Sequence, residues 1–276
     1  MFIFKRPALA ERVFARIAQA RPQTLLVIGD GPRTAEESTL CQETRRIVER
    51  VDWDCRVLTQ FSATNLGCKR RVSSGLDWVF SKVEEAIILE DDCLPSLSFF
   101  SFCQVLLDRY RHDKRIFLVS GDNFQFGRRR TDFSYYFSRY PHIWGWASWR
   151  RAWENFDASM SSWPTFSADG HLASIIEDPV EQRYWATIFE QCYREEIDSW
   201  AFPWTYACWR QGALTILPEV NLVSNIGFGQ NATHTGDSTS SIANLPTGEL
   251  WTIRHPKNVV RLPDADSFTF KNVFSR

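Results

Sequence analysis

The sequence predicts an α/β fold with a mostly parallel central sheet flanked by helices. Three observations carry this expectation. Short apolar runs closed by turn residues recur along the first half of the chain, and stretches with apolar residues at helical spacing fall between them. Polar residues stand at the carboxyl end of run after run. Strand and helix alternating in this way is the pattern of parallel strands joined by helical crossovers.

Phe2-Ile3-Phe4, ended by Lys5-Arg6-Pro7, reads as the first strand. Over residues 8–20, Leu9, Val13, Phe14, Ile17 and Ala18 recur at helical spacing. Thr24-Leu25-Leu26-Val27-Ile28 is closed by Gly29-Asp30-Gly31-Pro32, which predicts a buried strand and a turn. A polar helix is expected over 35–51 and a third strand at Cys55-Arg56-Val57-Leu58. Residues 71–82 place Leu76, Val79 and Phe80 on one helix face. Glu85-Ala86-Ile87-Ile88-Leu89 then runs straight into the acidic triplet Glu90-Asp91-Asp92. Ser96 stands where it can cap a helix carrying Phe99, Phe100, Cys103, Leu106 and Leu107. Ile116-Phe117-Leu118-Val119-Ser120 is a fifth strand, closed by Gly121-Asp122.

After residue 125 the pattern changes to tryptophan-rich segments, a helix over 179–194 and a short strand at Leu214-Thr215-Ile216-Leu217. No Gly-, Pro- or Ser-rich linker divides the two halves, so 1–276 reads as one domain with halves 1–125 and 126–276. Twelve tryptophans in 276 residues is the unusual feature. They form a large aromatic core, or some of them line a groove where sugar faces stack.

A net charge of −1 and the lack of a basic stripe interleaved with aromatics give no support for nucleic acid as a partner. Lys69-Arg70-Arg71 and Arg128-Arg129-Arg130 read first as solvated loops or helix faces, and second as sites of attraction for a phosphate or an anionic membrane surface. No apolar stretch reaches the roughly 18–20 residues of a membrane span. Seven cysteines without a C-x-x-C pair read as reduced thiols. The expectation is a cytoplasmic protein, either free or peripheral at the inner face of the membrane.

Ligands of open α/β sheets bind at the carboxyl ends of the strands. Four such ends carry polar residues here: Lys5-Arg6, Asp30, Glu90-Asp91-Asp92 and Asp122. Bringing carboxylates of three ends together costs energy unless cations offset the repulsion, and a divalent metal with a bound diphosphate would do so. Asp198, in Ile197-Asp198-Ser199-Trp200, reads either as a general base raised by apolar neighbours or as the N-cap of a helix starting at Trp200. His234 lies in a loop with Gly227 and Gly229, and His142 is not assigned to catalysis.

With these residues in view, the chain resembles the GT-A-type glycosyltransferases, the family-2-like bacterial enzymes. More distantly, it is similar to the animal N-acetylglucosaminyltransferase that begins complex N-glycans. The resemblance runs in order through Phe4-Lys5-Arg6-Pro7, Asp30-Gly31-Pro32, Asn65-Leu66-Gly67-Cys68 with Ser74-Gly75-Leu76-Asp77-Trp78, and residues 87–100. It continues through Trp144-Gly145-Trp146-Ala147-Ser148-Trp149, Asp198-Ser199-Trp200 and residues 227–235. It implies a GT-A nucleotide-diphospho-sugar transferase fold, with the first half binding the donor and the second the acceptor. It implies Asp92 as the ligand of Mn²⁺ or Mg²⁺, and Glu90 and Asp91 facing ribose and sugar. Arg6 and Asp30 would touch the nucleotide, Gly145 and Trp146 would border the donor sugar, Asp198 would be the base, and His234 would close on the diphosphate or metal.

The function this implies is metal-dependent transfer of a hexose or N-acetylhexosamine from a nucleotide-diphosphate sugar, UDP-sugar favoured, to an acceptor hydroxyl with inversion. The acceptor would be a glycan, lipid-linked or protein-linked, as in bacterial polysaccharide biosynthesis. Two rivals remain. A sugar-1-phosphate nucleotidyltransferase shares the sheet type but needs a glycine-rich basic loop after the first strand. A non-catalytic carbohydrate-binding protein would use the tryptophans without acids at three strand ends.

Overall fold

The structure, a computed structural model, describes residues 1–229 and 240–275. The chain opens with β1 (Phe2–Ile3), α1 (Pro7–Ala20), β2 (Thr24–Gly29), α2 (Ala35–Arg45), β3 (Arg56–Phe61) and α3 (Cys68–Lys82). It continues through β4 (Glu85–Ile88), β5 (Cys93–Pro95), α4 (Leu97–Tyr110) and β6 (Ile116–Ser120). The aromatic half holds β7 (Tyr135–Ser138), β8 (Trp146–Trp149), α5 (Arg150–Trp153), α6 (Trp163–Ala168), α7 (Leu172–Ile175), α8 (Pro179–Tyr193) and α9 (Ala201–Arg210). Strands β9 (Leu214–Pro218) and β10 (Val223–Asn225) and helix α10 (Pro263–Thr269) follow.

Strands β1, β2 and β3 pair in parallel, with Phe2 opposite Ile28 and Thr24 opposite Arg56. A parallel bridge between Phe2 and Glu90, with Phe2 N donating to Leu89 O at 2.8 Å, joins them to β4. The sheet continues in the order β4-β8-β6-β9-β7. Strand β8 is antiparallel to both neighbours and β7 is antiparallel to β9, while β6 and β9 are parallel. The result is a mixed sheet whose parallel majority is flanked by helices. Strands β5 and β10 form a separate antiparallel pair just beyond the acidic triplet.

Helix α1 starts at Pro7, whose fixed φ suits a first turn, and buries Ala10, Val13, Phe14 and Ile17 along one stripe. That stripe and the Phe99, Phe102 and Leu106 face of α4 cover one side of the sheet. On the other side, Leu76 and Phe80 of α3 join Trp153, Trp185, Phe189 and Trp204. Apart from Trp144, every tryptophan from Trp146 to Trp209 is buried, so these rings are core and not groove. Their pairs, such as Trp185 and Trp209 at 4.9 Å and 68°, each add about 0.5–1.5 kcal/mol beyond area burial.

Four strands escape the sequence pattern: β5, β7, β8 and β10. Strands β7 and β8 are buried at every position, so no alternation marks them. The cap at Ser96 also differs from expectation. Its hydroxyl makes no capping bond, and the amide of Ser98 in the first turn of α4 donates instead to Glu249, at 2.9 Å. Among the described residues, no helix is long and apolar enough to cross a membrane.

Candidate active site

The carboxyl ends of β1, β2 and β4 open into one cleft of ≈ 730 Å³, including its mouth to solvent. Arg6, Asp30, Glu90 and Asp91 all line it. So do Phe4, Arg33 and Arg71, which sequence reasoning did not name as site residues. The size suits a small-molecule ligand.

Arg6 is the cation that offsets the carboxylates. Its guanidinium pairs with Asp91 through one nitrogen and with Asp92 Oδ2 through the other, the latter at 2.8 Å. Phe4 N also donates to Asp91 Oδ2, at 3.1 Å. The sequence assigned this neutralisation to a metal and diphosphate alone, whereas the chain carries its own cation, 85 residues away from Asp91. Burial works against the charge on Arg6, but Asp91, Asp92 and Glu90 more than offset it and hold the guanidinium protonated. Burial, then Asp92 and Asp91, push the Glu90 carboxyl above its ordinary range. Burial also raises Asp91, with Arg6 opposing.

Asp92 is fixed from the other side. Its carbonyl accepts from Ile226 N at 2.9 Å, and Gly227 lies against its carboxylate. A Cβ on Gly227 would stand 2.1 Å from Asp92 Oδ2, so only glycine lets this backbone approach.

Asp30 faces the protein. Its oxygens accept from the amides of Gly31 (2.8 Å), Leu66 (2.9 Å) and Gly67 (3.2 Å) and from Asn65 Nδ2 (3.0 Å). It brackets the end of β2 to the turn that starts α3. Gly31 completes the bracket, since a Cβ there would meet Thr64 backbone at 2.4 Å.

Asp198 is exposed, so its side chain does not meet the apolar surroundings that its sequence neighbours suggested. It does not cap α9 either. The amide of Ala201 takes Ser199 Oγ, at 3.2 Å, and the N-terminal position of α9 has no capping bond at Trp200. Its carboxylate instead reaches the rim of the cleft, with Oδ2 3.6 Å from where a Cβ on Gly67 would stand.

Gly145 and Trp146 stand at the start of β8. Gly145 has φ 78°, and a Cβ there would strike Val223 at 2.6 Å. Trp146 is 1% exposed and packs between Trp200 and Trp204, at 5.9 and 6.1 Å. Neither lines the cleft. His234 lies outside the described residues.

Arg71 departs from the solvated role expected of its basic run. It is buried, its guanidinium donates to Gln60 Oε1 at 2.6 Å, and it lines the cleft wall. Lys5 and Arg33 converge on Glu37, at 2.6 and 2.7 Å, beside the Phe4 ring. The cleft therefore offers an aromatic face, four cationic side chains and a carboxylate cluster.

Among the described residues, no group of three or more His, Cys, Asp or Glu side chains is placed to hold a metal ion. Mg²⁺ and Mn²⁺ do not require such a cage: one or two carboxylates suffice when phosphate oxygens and water complete the shell. Asp92 does not itself line the cleft and its Oδ2 is paired with Arg6, but its carboxylate at the strand end offers hard oxygen donors of that kind to a cation that arrives with a diphosphate.

Asp122, the fourth strand-end residue, does not join the cleft. It is buried and lines a separate pocket together with His142. Burial lowers the His142 imidazole from 6.5 to about 3. Its value is thus depressed on folding, so its contribution to stability is present above 6.5 and lost as pH falls through about 3. The thermal midpoint of the wild type should therefore fall further between pH 7 and pH 5 than that of His142→Phe. Equal falls in paired melts would exclude His142 as the group responsible.

None of the protein-family models matches the sequence. No curated protein matches it either. Among solved structures, the chain is similar to the mannosyltransferase PcManGT from Pyrobaculum calidifontis in complex with GDP-Man and Mn²⁺. The TM-score is 0.38 and the identity 16%, over 56% of this chain and 46% of that chain, so the match spans less than half of the mannosyltransferase.

Proposed function

We propose that the chain is a metal-dependent glycosyltransferase of the GT-A type. It would move a hexose or N-acetylhexosamine from a nucleotide-diphosphate donor, UDP-sugar favoured, to a hydroxyl of a glycan, lipid-linked or protein-linked acceptor, with inversion. The observation that carries this reading is the cleft at the carboxyl edge of the sheet, where Phe4 and the cations Lys5, Arg6, Arg33 and Arg71 meet Glu90 and Asp91. An aromatic face beside clustered positive charge suits a nucleotide diphosphate, and the carboxylates suit a sugar's hydroxyls and a cation.

Asp92 would hold the divalent cation, Mn²⁺ or Mg²⁺, which when bound neutralises diphosphate oxygens as a Lewis acid. Arg6 keeps Asp91 and Asp92 in place, and Asp30 holds the 65–67 turn against the nucleotide. Glu90 and Asp91 face ribose and sugar. Gly145 and Trp146 act from beneath, by setting the start of β8 near the donor sugar. Asp198, at the cleft rim, would take the proton from the acceptor hydroxyl as its oxygen bonds to the anomeric carbon and the bond to the diphosphate breaks. His234 would close on the diphosphate.

Asp92→Ala tests the reading. The variant should stay folded, because Arg6 keeps its partner Asp91. Metal-dependent binding of UDP should weaken by more than about tenfold, or 1.4 kcal/mol. Calorimetric titration with UDP and MnCl₂, beside a thermal melt, measures both. Unchanged affinity in a folded variant would remove Asp92 from the metal site.

A further inference from the structure

We propose that a second pocket, separate from the cleft, walled by Phe124, Trp144 and Phe202 and bearing Asp122 and His142, is the acceptor subsite, where a pyranose ring stacks on the aromatics and its hydroxyls reach Asp122 Oδ1 and His142 Nε2. This rests on the glycosyltransferase reading and deepens it.

The pocket measures ≈ 580 Å³, including its mouth, and its lining is mostly apolar. Most polar side chains in the lining are already committed. Tyr140 Oη donates to Glu181, Trp185 Nε1 donates to Tyr140 Oη at 3.3 Å, and Thr205 Oγ1 donates to Ala201 O at 3.0 Å. Asp122 Oδ1 and His142 Nε2 are different: both are buried and, among the described residues, neither has a hydrogen-bond partner. Buried polar atoms in folded proteins are nearly always satisfied, so two orphans in one pocket call for a ligand or water. An apolar, aromatic enclosure with a few fixed polar atoms is how proteins hold a sugar-sized ring in one orientation.

The chemistry of the two groups suits hydroxyls. The Oδ2 of Asp122 accepts from Trp144 N at 2.9 Å, which aims the carboxyl. Burial, with only that hydrogen bond opposing it, raises the Asp122 carboxyl well above the usual carboxylate range, which favours the protonated form that can donate to a hydroxyl. His142 is neutral for the same reason and presents one donor and one acceptor. Phe124 packs on its ring at 4.5 Å and Tyr140 lies parallel to it at 6.1 Å, which fixes the imidazole plane.

The pocket also stands where an acceptor is needed. One wall is Trp144, whose ring meets Phe228 edge-on at 5.5 Å, and Phe228 follows the Gly227 that presses on Asp92. Another wall begins at Ala201, three residues after Asp198. A ring held here is flanked by the segments that bear the candidate metal ligand and the candidate base.

The test is saturation-transfer NMR on the full chain with UDP and MnCl₂ present, using the methyl glycosides of glucose, galactose, mannose and N-acetylglucosamine as probes. At least one should receive saturation from the wild type. His142→Phe should weaken that signal tenfold or more, yet raise the melting temperature, because an unpaired buried nitrogen is removed. Ala201→Leu, at the half-buried first turn of α9, adds bulk to the pocket lining while leaving Asp122 and His142 unsubstituted, and should abolish the signal too. It carries the test if His142→Phe does not fold. UDP affinity should be unchanged in both variants. If neither variant alters the glycoside signal, the ring binds elsewhere and the inference is overturned. If no glycoside binds while UDP and Mn²⁺ titrate normally, the subsite falls and the donor reading stands. If UDP fails to bind but the glycoside signal persists and is lost in the variants, the pocket stands as a sugar site and the donor reading falls.

Discussion

Asp198→Asn is expected to lower sugar transfer by roughly 10²–10⁴-fold while leaving donor affinity within a few-fold. The carboxylate is exposed at the rim of the cleft and reaches toward Gly67, so it touches none of the buried contacts that hold Asp91 or Asp92. Asparagine keeps the shape but cannot accept a proton. A helix-cap role would have left activity intact, since Asn caps about as well as Asp, but α9 takes its cap contact from Ser199. Turnover is measured with an acceptor or, without one, as slow hydrolysis of the donor by water. Near wild-type transfer by the Asn variant would move the base to Glu195 or Glu196, which lie exposed in the same loop.

Arg6→Ala is expected to destabilise the fold by about 3–5 kcal/mol, because it strands buried carboxylates without their cation. The Asp91 side chain is 3% exposed and that of Asp92 11%, so solvent screens neither well. Against a total stability of about 5–15 kcal/mol, this is a large fraction. Divalent metal should recover part of the loss in the variant and add less to the wild type, where Arg6 already neutralises the site. Denaturant titrations with and without MnCl₂ measure both quantities. A variant with the wild-type midpoint would show that the Arg6 pairs contribute nothing to the fold.

The legible parts of this molecule are those set by local pattern. The five-residue run before Glu90 announces a strand whose end is acidic, and Pro7 with the Val13, Phe14 and Ile17 spacing announces α1. Strands β7 and β8 are not legible: like β6 they are buried on both faces and show no alternation, but Tyr135-Tyr136-Phe137-Ser138 and Trp146-Ala147-Ser148-Trp149 lack the continuous aliphatic run that marks β6. The pairing of Arg6 with Asp91 spans 85 residues and is set by the register of β1 against β4, which no local window contains. The burial of Arg71 within a basic triplet follows from the rotation of α3 against the sheet, which turns Arg71 inward with Val72 and Gly75 while Arg70 stays exposed. Asp122 shows the opposite limit. Its strand end was visible, but the antiparallel β8 enters beside β4 and directs the end of β6 into a separate pocket.

The most direct test of the central claim is a product analysis by ³¹P NMR. The full chain is incubated with UDP-sugars and GDP-sugars, Mn²⁺ and pyrophosphate, with and without a chelator. A glycosyltransferase releases the nucleoside diphosphate from at least one donor, and it does so only while the metal is free and Asp92 is present. Formation of nucleoside triphosphate and sugar-1-phosphate would contradict the account and identify a nucleotidyltransferase, and no turnover together with no metal-dependent nucleotide binding would contradict it outright.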